Sequence, residues 1–163
     1  MLVGIVSDTH DNTDVVEQAV QTFEDAGVDA VLHCGDIVAP FSATPFDSSF
    51  DFYAVRGNND GEWALQNVVG DFGTYLGEMG ELTLDDTEFA VYHGTSEPIV
   101  EALIDCGSYD YVCRGHTHQR VHEEREGTVH VNPGGIPIDA APDSQAAVVV
   151  DTETGAVEFH DLD

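Results

Sequence analysis

Five short motifs carrying metal-ligand side chains recur along this chain, and most of them follow an apolar run. They are Asp8-Thr9-His10, Gly35-Asp36, Gly57-Asn58-Asn59-Asp60, His93-Gly94 and Gly115-His116-Thr117-His118. The apolar runs before them read as β-strands. Parallel strands place the loops at their carboxyl ends side by side along one edge of a sheet. Oxygens from Asp8, Asp36 and Asn58 would then meet imidazoles from His10, His93, His116 and His118, enough for two divalent cations. Two metals a few ångströms apart are the usual apparatus for in-line phosphoryl displacement.

The pattern between the motifs supports this topology. Residues 2–7 are almost continuously apolar, which suits a strand buried on both faces. Asn12 can cap a helix over residues 13–26, where Val15, Val16, Ala19, Val20 and Phe23 share one face, and Gly27 can stop it. Strands over residues 29–34 and 51–55 complete a β-α-β opening, which argues for a parallel sheet with right-handed crossovers. A short helix is expected over residues 62–69, another over 97–105, and a buried strand over 109–113. Three hairpins are expected, pairing 81–85 with 88–93, 120–125 with 128–131, and 145–151 with 156–160. The second half therefore reads as mainly antiparallel. The expected whole is one α/β domain over residues 1–163, two packed sheets with helices outside. Residues 40–49, 70–80 and 133–143 read as loops in which substrate selectivity would reside.

Composition narrows the setting. No apolar run approaches the roughly 20 residues of a membrane helix, and the start at Met1 reads as a first strand rather than a signal peptide. Three cysteines, Cys34, Cys106 and Cys113, have no CxxC spacing, which fits a reducing, cytoplasmic setting. Cys34 and Cys113 read as small buried hydrophobes. There are 32 acidic residues against four arginines and no lysine, a net charge of −28. The acids are scattered rather than blocked. That spread favours adaptation to molar internal salt, as in halophilic archaea, over a dedicated cation-binding surface. With so few cationic side chains, a groove tracking a nucleic-acid polymer is not expected.

Mixed oxygen and nitrogen ligation without thiolate suits Mn²⁺ first, and also Fe²⁺, Ni²⁺, Co²⁺ or Zn²⁺. Each motif alone is commonly just a turn. Their joint order at strand ends is what points to a metal centre.

On these motifs the chain resembles the calcineurin-like metallophosphoesterase superfamily. Ser7-Asp8-Thr9-His10 and Val131-Asn132-Pro133-Gly134 are similar to segments of its small prokaryotic phosphodiesterase branch. The resemblance implies a four-layer α/β/β/α sandwich with the site at the carboxyl ends of the strands. It implies one metal held by Asp8, His10, Asp36 and His118, and a second by Asp36, Asn58, His93 and His116. It further implies that a hydroxide bridging the two attacks a small phosphodiester in line. Many members of the superfamily carry a histidine after the ligand asparagine, in contact with the substrate phosphate. Here that position is Asn59, which can donate a hydrogen bond but cannot act as a general acid. General acid catalysis is typically worth about 10²–10⁴-fold, so slow turnover and a preference for good leaving groups are expected. No basic residue follows Asn132-Pro133-Gly134 in the stretch to Asp139.

Around this set, Asn59 and Asp60 are candidates beside the reaction, and Asp11, Asn59 and Arg114 are candidates for substrate contact. For Asp11 and Asp60 the competing reading is turn geometry; for Arg114 it is pairing with an acid. His33 reads as a satisfied strand histidine, His122 and His130 as cross-strand surface partners, and Trp63 as core, with a wall of the pocket as its alternative. Two other functions stay open: a metal-keeping scaffold on the same fold, and a phosphomonoesterase or protein phosphatase. Exposed edge strands in the C-terminal hairpins leave room for a homodimer or higher homo-oligomer.

Overall fold

The computed structural model describes residues 1–61, 63–142 and 145–162. Its first sheet contains β1 (Leu2–Val6), β2 (Ala30–His33), β3 (Asp51–Val55), β4 (Thr74–Gly77), β10 (Ala146–Asp151) and β11 (Val157–Asp161). They lie in the order β11-β10-β1-β2-β3-β4. The second sheet contains β5 (Met79–Leu84), β6 (Thr87–Tyr92), β7 (Tyr111–Cys113), β8 (Arg120–Arg125) and β9 (Thr128–Pro133), in the order β5-β6-β7-β9-β8. Helices α1 (Thr13–Ala26), α2 (Pro40–Ala43) and α3 (Ala64–Phe72) accompany the first sheet, and α4 (Glu97–Asp105) the second.

Alternation of side chains along the strands makes three cores, and hence four layers. On one face of the first sheet Val6, Val31, Phe52, Ala54 and Val149 pack with Val15, Val16, Ala19 and Phe23 of α1. On the other face Val3, Ile5, Leu32, Val55, Val148 and Val150 meet Leu84, Phe89, Val91, Tyr111 and Val131 of the second sheet. The outer face of that sheet, Ala90, Tyr92 and Val112, is covered by Val100 and Ile104 of α4. Cys34 and Cys113 are fully buried in the middle core, as small hydrophobes.

Helix α1 is bounded as expected. The Asn12 side chain accepts from the Val15 N–H at 3.3 Å, and Gly27 ends the helix with φ 67°. Elsewhere the structure departs from the expectation. The three expected antiparallel hairpins form, β5–β6, β8–β9 and β10–β11, but β7 lies between the first two, paired in parallel with both β6 and β9. Residues 70–80 are not a plain loop: α3 runs on to Phe72, β4 adds a parallel edge strand, and β5 has begun by Met79. Residues 40–49 hold α2 and a 3₁₀ turn at Thr44–Phe46. Of the expected helix over 62–69, residue 62 lies outside the described residues, as does residue 143 at the end of the expected 133–143 loop. His130 is buried and stands opposite Glu123, not His122. Trp63 is 78% exposed rather than core. Among the described residues no helix is long and apolar enough to cross a membrane.

Candidate metal centre

The parallel strands β1, β2 and β3 end side by side, so the loops after Val6, His33 and Val55 meet at one edge. The loops after β6 and β7 reach the same place from the other sheet. All seven sequence-predicted ligand residues converge there. His10 Nε2 lies 3.3 Å from Asp36 Oδ2 and 3.7 Å from Asp8 Oδ1. His118 Nε2 is 3.4 Å from Asp8 Oδ1, and His93 Nε2 is 3.4 Å from Asp36 Oδ2. Asn58 Oδ1 stands 3.0 Å from His93 Nε2 and 3.1 Å from His116 Nδ1.

The backbone is bent to make this convergence. Asp8, His10, Asp11, Asp36, Val38, His116 and His118 all have positive φ, between 43° and 87°. Such conformations are uncommon for residues with a side chain, and Val38 is β-branched. Strain of this kind, of order 1 kcal/mol or more per residue, gathers at functional sites. Two glycines permit the close approach: a Cβ on Gly57 would overlap the Asp36 carboxylate, and one on Gly115 would overlap the Ser7 hydroxyl and the Asp8 carboxylate.

The imidazoles are oriented by backbone carbonyls. His93 Nδ1 donates to Cys34 O at 2.7 Å, and His118 Nδ1 donates to Ile136 O at 2.7 Å. A carbonyl can only accept, so in the neutral ring each Nε2 presents a lone pair to the centre. It meets carboxylate oxygens and the Asn58 amide oxygen, which also offer lone pairs. Asp8 Oδ1 and His10 Nε2 are buried with no hydrogen-bond partner. Facing lone pairs of this kind are stable only around positive charge, either protons on the imidazoles or divalent cations. The donor set therefore fits divalent metal. Asp8, His10 and His118 bring donor atoms within 4.8 Å of one another, as do Asp8, Asp36 and His93.

Titration reflects the same crowding. The Asp8 carboxylate beside it holds His10 above its ordinary 6.5 against burial. Burial pulls His93 down, but Asp36 and Asp8 outweigh it and raise the ring's pKa. Burial would lift Asp36, yet His93 and the Asn59 donors carry it well below the carboxylate range. His116 is lowered by burial and by His93, in spite of Asp8 and Asp36.

The other predicted residues brace the loops. Asn59 gives both donors to Asp36, its N–H to Oδ1 and its Nδ2 to Oδ2, each at 2.8 Å. Asp60 is buried and accepts from the N–H of Asp36, Val38 and Gly57 at 2.7–2.9 Å. Asp11 Oδ1 accepts from Ala39 N at 2.8 Å and Ser42 Oγ at 2.6 Å. Arg114 is buried and directs its donors to Glu97 at 2.7 Å, Gly94 O at 2.9 Å and Gly115 O at 3.3 Å.

Sequence reasoning did not assign Ser7 or Asn132. Ser7 Oγ donates to Asp8 Oδ2 at 2.6 Å, and Asn132 Nδ2 donates to Gly115 O and Thr117 Oγ1 at 3.0 Å. His33, fully buried with its pKa driven down to about 3 by burial, accepts the Gly35 N–H and donates to Thr9 Oγ1, both at 3.2 Å. It ties the first two ligand loops together.

Comparison with known proteins agrees with this geometry. Residues 1–155 match the calcineurin-like phosphoesterase superfamily domain. The chain belongs to that superfamily. Its chemistry is that of a phosphoesterase, a hydrolase of phosphoric esters. It is 37% identical over 145 residues to a phosphodiesterase of Methanocaldococcus jannaschii, covering 82% of this chain and 83% of that protein. A solved structure described as a novel archaeal phosphodiesterase superposes with a TM-score of 0.91 at 33% identity, covering 99% of this chain and 100% of that one. The phosphoesterase YfcE of E. coli shares the fold, with a TM-score of 0.72 at 18% identity and full coverage of both chains. The two mixed sheets and flanking helices are thus the family's architecture.

Proposed function

We propose that this chain is a dinuclear-metal phosphodiesterase acting on small phosphodiesters. One observation carries the dinuclear reading: Asp36 Oδ2 lies between His10 Nε2 at 3.3 Å and His93 Nε2 at 3.4 Å, where a single carboxylate serves both halves of the cage. Asp8, His10, Asp36 and His118 would hold one cation, and Asp36, Asn58, His93 and His116 the other, with Mn²⁺ the first candidate. Divalent cations in such a cage supply Lewis acidity, lowering the pKa of water and neutralising charge on phosphoryl oxygens.

The protein's own contribution is placement. Carbonyls 34 and 136 fix the His93 and His118 tautomers. Asn59 holds Asp36 by both oxygens, and Asp60 closes the loops on either side of it. Asp11 and Arg114 act in the same way on their own loops, with their donors and acceptors committed inside the protein. None of these groups is a neutral-pH acid positioned to protonate a leaving oxygen, so the reaction favours diesters with acidic leaving groups. The 37%-identical phosphodiesterase supports diesters over monoesters. An exposed free Cys106, with Cys34 and Cys113 buried and unpaired, fits a reducing cytoplasm.

The test is metal-stripped protein in about 3 M KCl, where screening is complete within a few ångströms. It is titrated with Mn²⁺ on an aryl phosphodiester and on the matching monoester, beside Asp36→Asn. Metal-dependent diester cleavage lost in the variant supports the proposal. Bound metal without cleavage of either ester leaves a metal-stabilised scaffold. Preferred cleavage of the monoester makes it a phosphomonoesterase.

A further inference from the structure

A cleft of about 230 Å³ opens on the outer face of the second sheet, where α4 meets β8 and β9. Glu97 and Glu101 of α4, Glu123 and Arg125 of β8, His130 of β9 and Arg114 line it. His130 takes no part in the cage, yet only 7% of it is exposed. Both of its ring nitrogens are buried with no hydrogen-bond partner. A buried polar group left unmade forfeits its hydration for nothing, and native interiors rarely keep one. Burial and the nearby Arg114 lower the ring's pKa below 6.5. Near pH 7 the imidazole is therefore neutral and presents one N–H and one lone pair.

The surroundings are rich in acceptors. Three glutamates line the cleft against two arginines, and both arginines are committed. Arg114 pairs with Glu97 Oε2 at 2.7 Å; Arg125 pairs with Glu101 at 2.7 Å and Asp105 at 3.2 Å. Glu97 keeps its second oxygen at the cleft. Glu123 is exposed and stands directly opposite His130 in the β8–β9 pairing, where side chains on one face are neighbours. The surplus of carboxylate disfavours an anion. A nitrogen lone pair beside carboxylate oxygens suits a borderline divalent cation such as Zn²⁺, Co²⁺ or Ni²⁺, whereas Mg²⁺ and Ca²⁺ prefer oxygen alone.

We infer that this cleft is a separate site for one such cation, held by the His130 imidazole with the Glu123 and Glu97 carboxylates. Among the described residues only the cage brings three such donors within 4.8 Å of one another. The cleft site therefore closes on its ion by movement of two exposed glutamates, binds more weakly than the cage and fills after it. It also backs onto the cage. Asn132 lines the cleft and donates to Gly115 O and Thr117 Oγ1 at 3.0 Å, and Thr117 lies between His116 and His118. The two sites share that loop.

Zn²⁺ is the probe. Metal-stripped full-length protein in molar KCl is titrated, and bound metal is counted by equilibrium dialysis. Wild-type protein should bind one equivalent more than His130→Asn. Glu123→Gln, a change at an exposed position, should weaken that extra equivalent by at least about tenfold, the least that losing even an outer partner of a ligand costs. Equal binding by all three proteins overturns the inference, however many ions the cage holds. Should His130→Asn fail to fold, unchanged affinity in Glu123→Gln overturns it alone. The difference should persist in an Asp36→Asn background, so failure of the dinuclear reading leaves this site standing. Anomalous scattering at the zinc edge should place the extra ion on His130 and Glu123, clear of Asp36. Only water in the cleft overturns the inference, and so does a crystal peak without the solution difference, which marks an adventitious ion only.

Discussion

The carboxylate of Asp60 accepts the backbone N–H of Asp36 at 2.9 Å, and its same oxygen accepts the N–H of Gly57 at 2.7 Å. Its other oxygen accepts Val38 N at 2.7 Å. One side chain thus closes two ligand loops against each other and holds Asp36 and Val38 at their positive φ values. Burial pushes the Asp60 carboxyl above its ordinary range in spite of these donors. Its position is therefore maintained at a cost, as expected for a group kept to position others.

Asp60→Asn should weaken metal binding without unfolding the chain. An amide has one acceptor oxygen and would turn an NH₂ towards a backbone N–H. Loss of outer partners of metal ligands typically costs about 10–100-fold in affinity. Mn²⁺ titration of stripped protein, with far-UV circular dichroism alongside, should show that loss with native secondary structure. Unchanged affinity would make Asp60 a turn residue only.

Asn59 presents a different case, since it touches Asp36 from the solvent side with both donors. Asn59→Ala removes the side-chain donor and leaves the N–H. We expect kcat to fall about tenfold, in proportion to one lost charge-assisted hydrogen bond. Because neither form offers an acid, a plot of log kcat against leaving-group pKa should have the same steep slope in both. A shallow slope in the wild-type protein would show that some group does protonate the leaving oxygen.

Much of this centre is legible in the order of five motifs, because a loop at a strand end needs particular ligands and glycines whatever surrounds it. What holds the ligands is far less visible. The carbonyls of Cys34 and Ile136 orient His93 and His118, and a carbonyl leaves no mark on residue type. His33 looks like any strand histidine until Thr9 and Gly35 are brought beside it. The parallel pairing of β6, β7 and β9 is equally hidden, because hairpin signals are local and parallel partners are far apart in sequence. β4 is only four residues long, follows Gly73 and ends at Gly77, with a register shift against β3, so it reads as loop. Trp63 follows a turn, where a large apolar side chain reads as core or as a wall of the pocket. The structure leaves it in water.

Protons and metal compete for the cage. His10 and His93 have raised pKa values, so in the metal-free protein they hold protons above the ordinary 6.5. Those protons must leave when a cation binds. Apparent affinity therefore rises with pH, by up to about tenfold per unit for each proton displaced. Calorimetry in buffers of different ionisation enthalpy should count one to two protons released near pH 7. Affinity independent of pH from about 6 to 8 would contradict the titration of these rings.

Salt should govern stability. All four arginines already pair with acids, Arg56 with Glu78, Arg114 with Glu97, Arg120 with Asp161, and Arg125 with Glu101 and Asp105. The net charge of −28 is left to the solvent to screen. The Debye length falls from about 10 Å at 0.1 M to about 3 Å at 1 M. Raising KCl from 0.1 M to about 3 M should lift Tm by at least about 5 °C, or roughly 2 kcal/mol for a chain of this size. A flat or falling Tm would argue against salt adaptation.

The central claim, one cage with two cations sharing Asp36, is tested most directly by anomalous scattering from crystals of the Mn²⁺-loaded protein. Two manganese peaks are predicted. One lies among Asp8, His10 and His118, the other among Asn58, His93 and His116, with the Asp36 carboxylate between them. A single peak, or two peaks that do not share Asp36, would contradict the account.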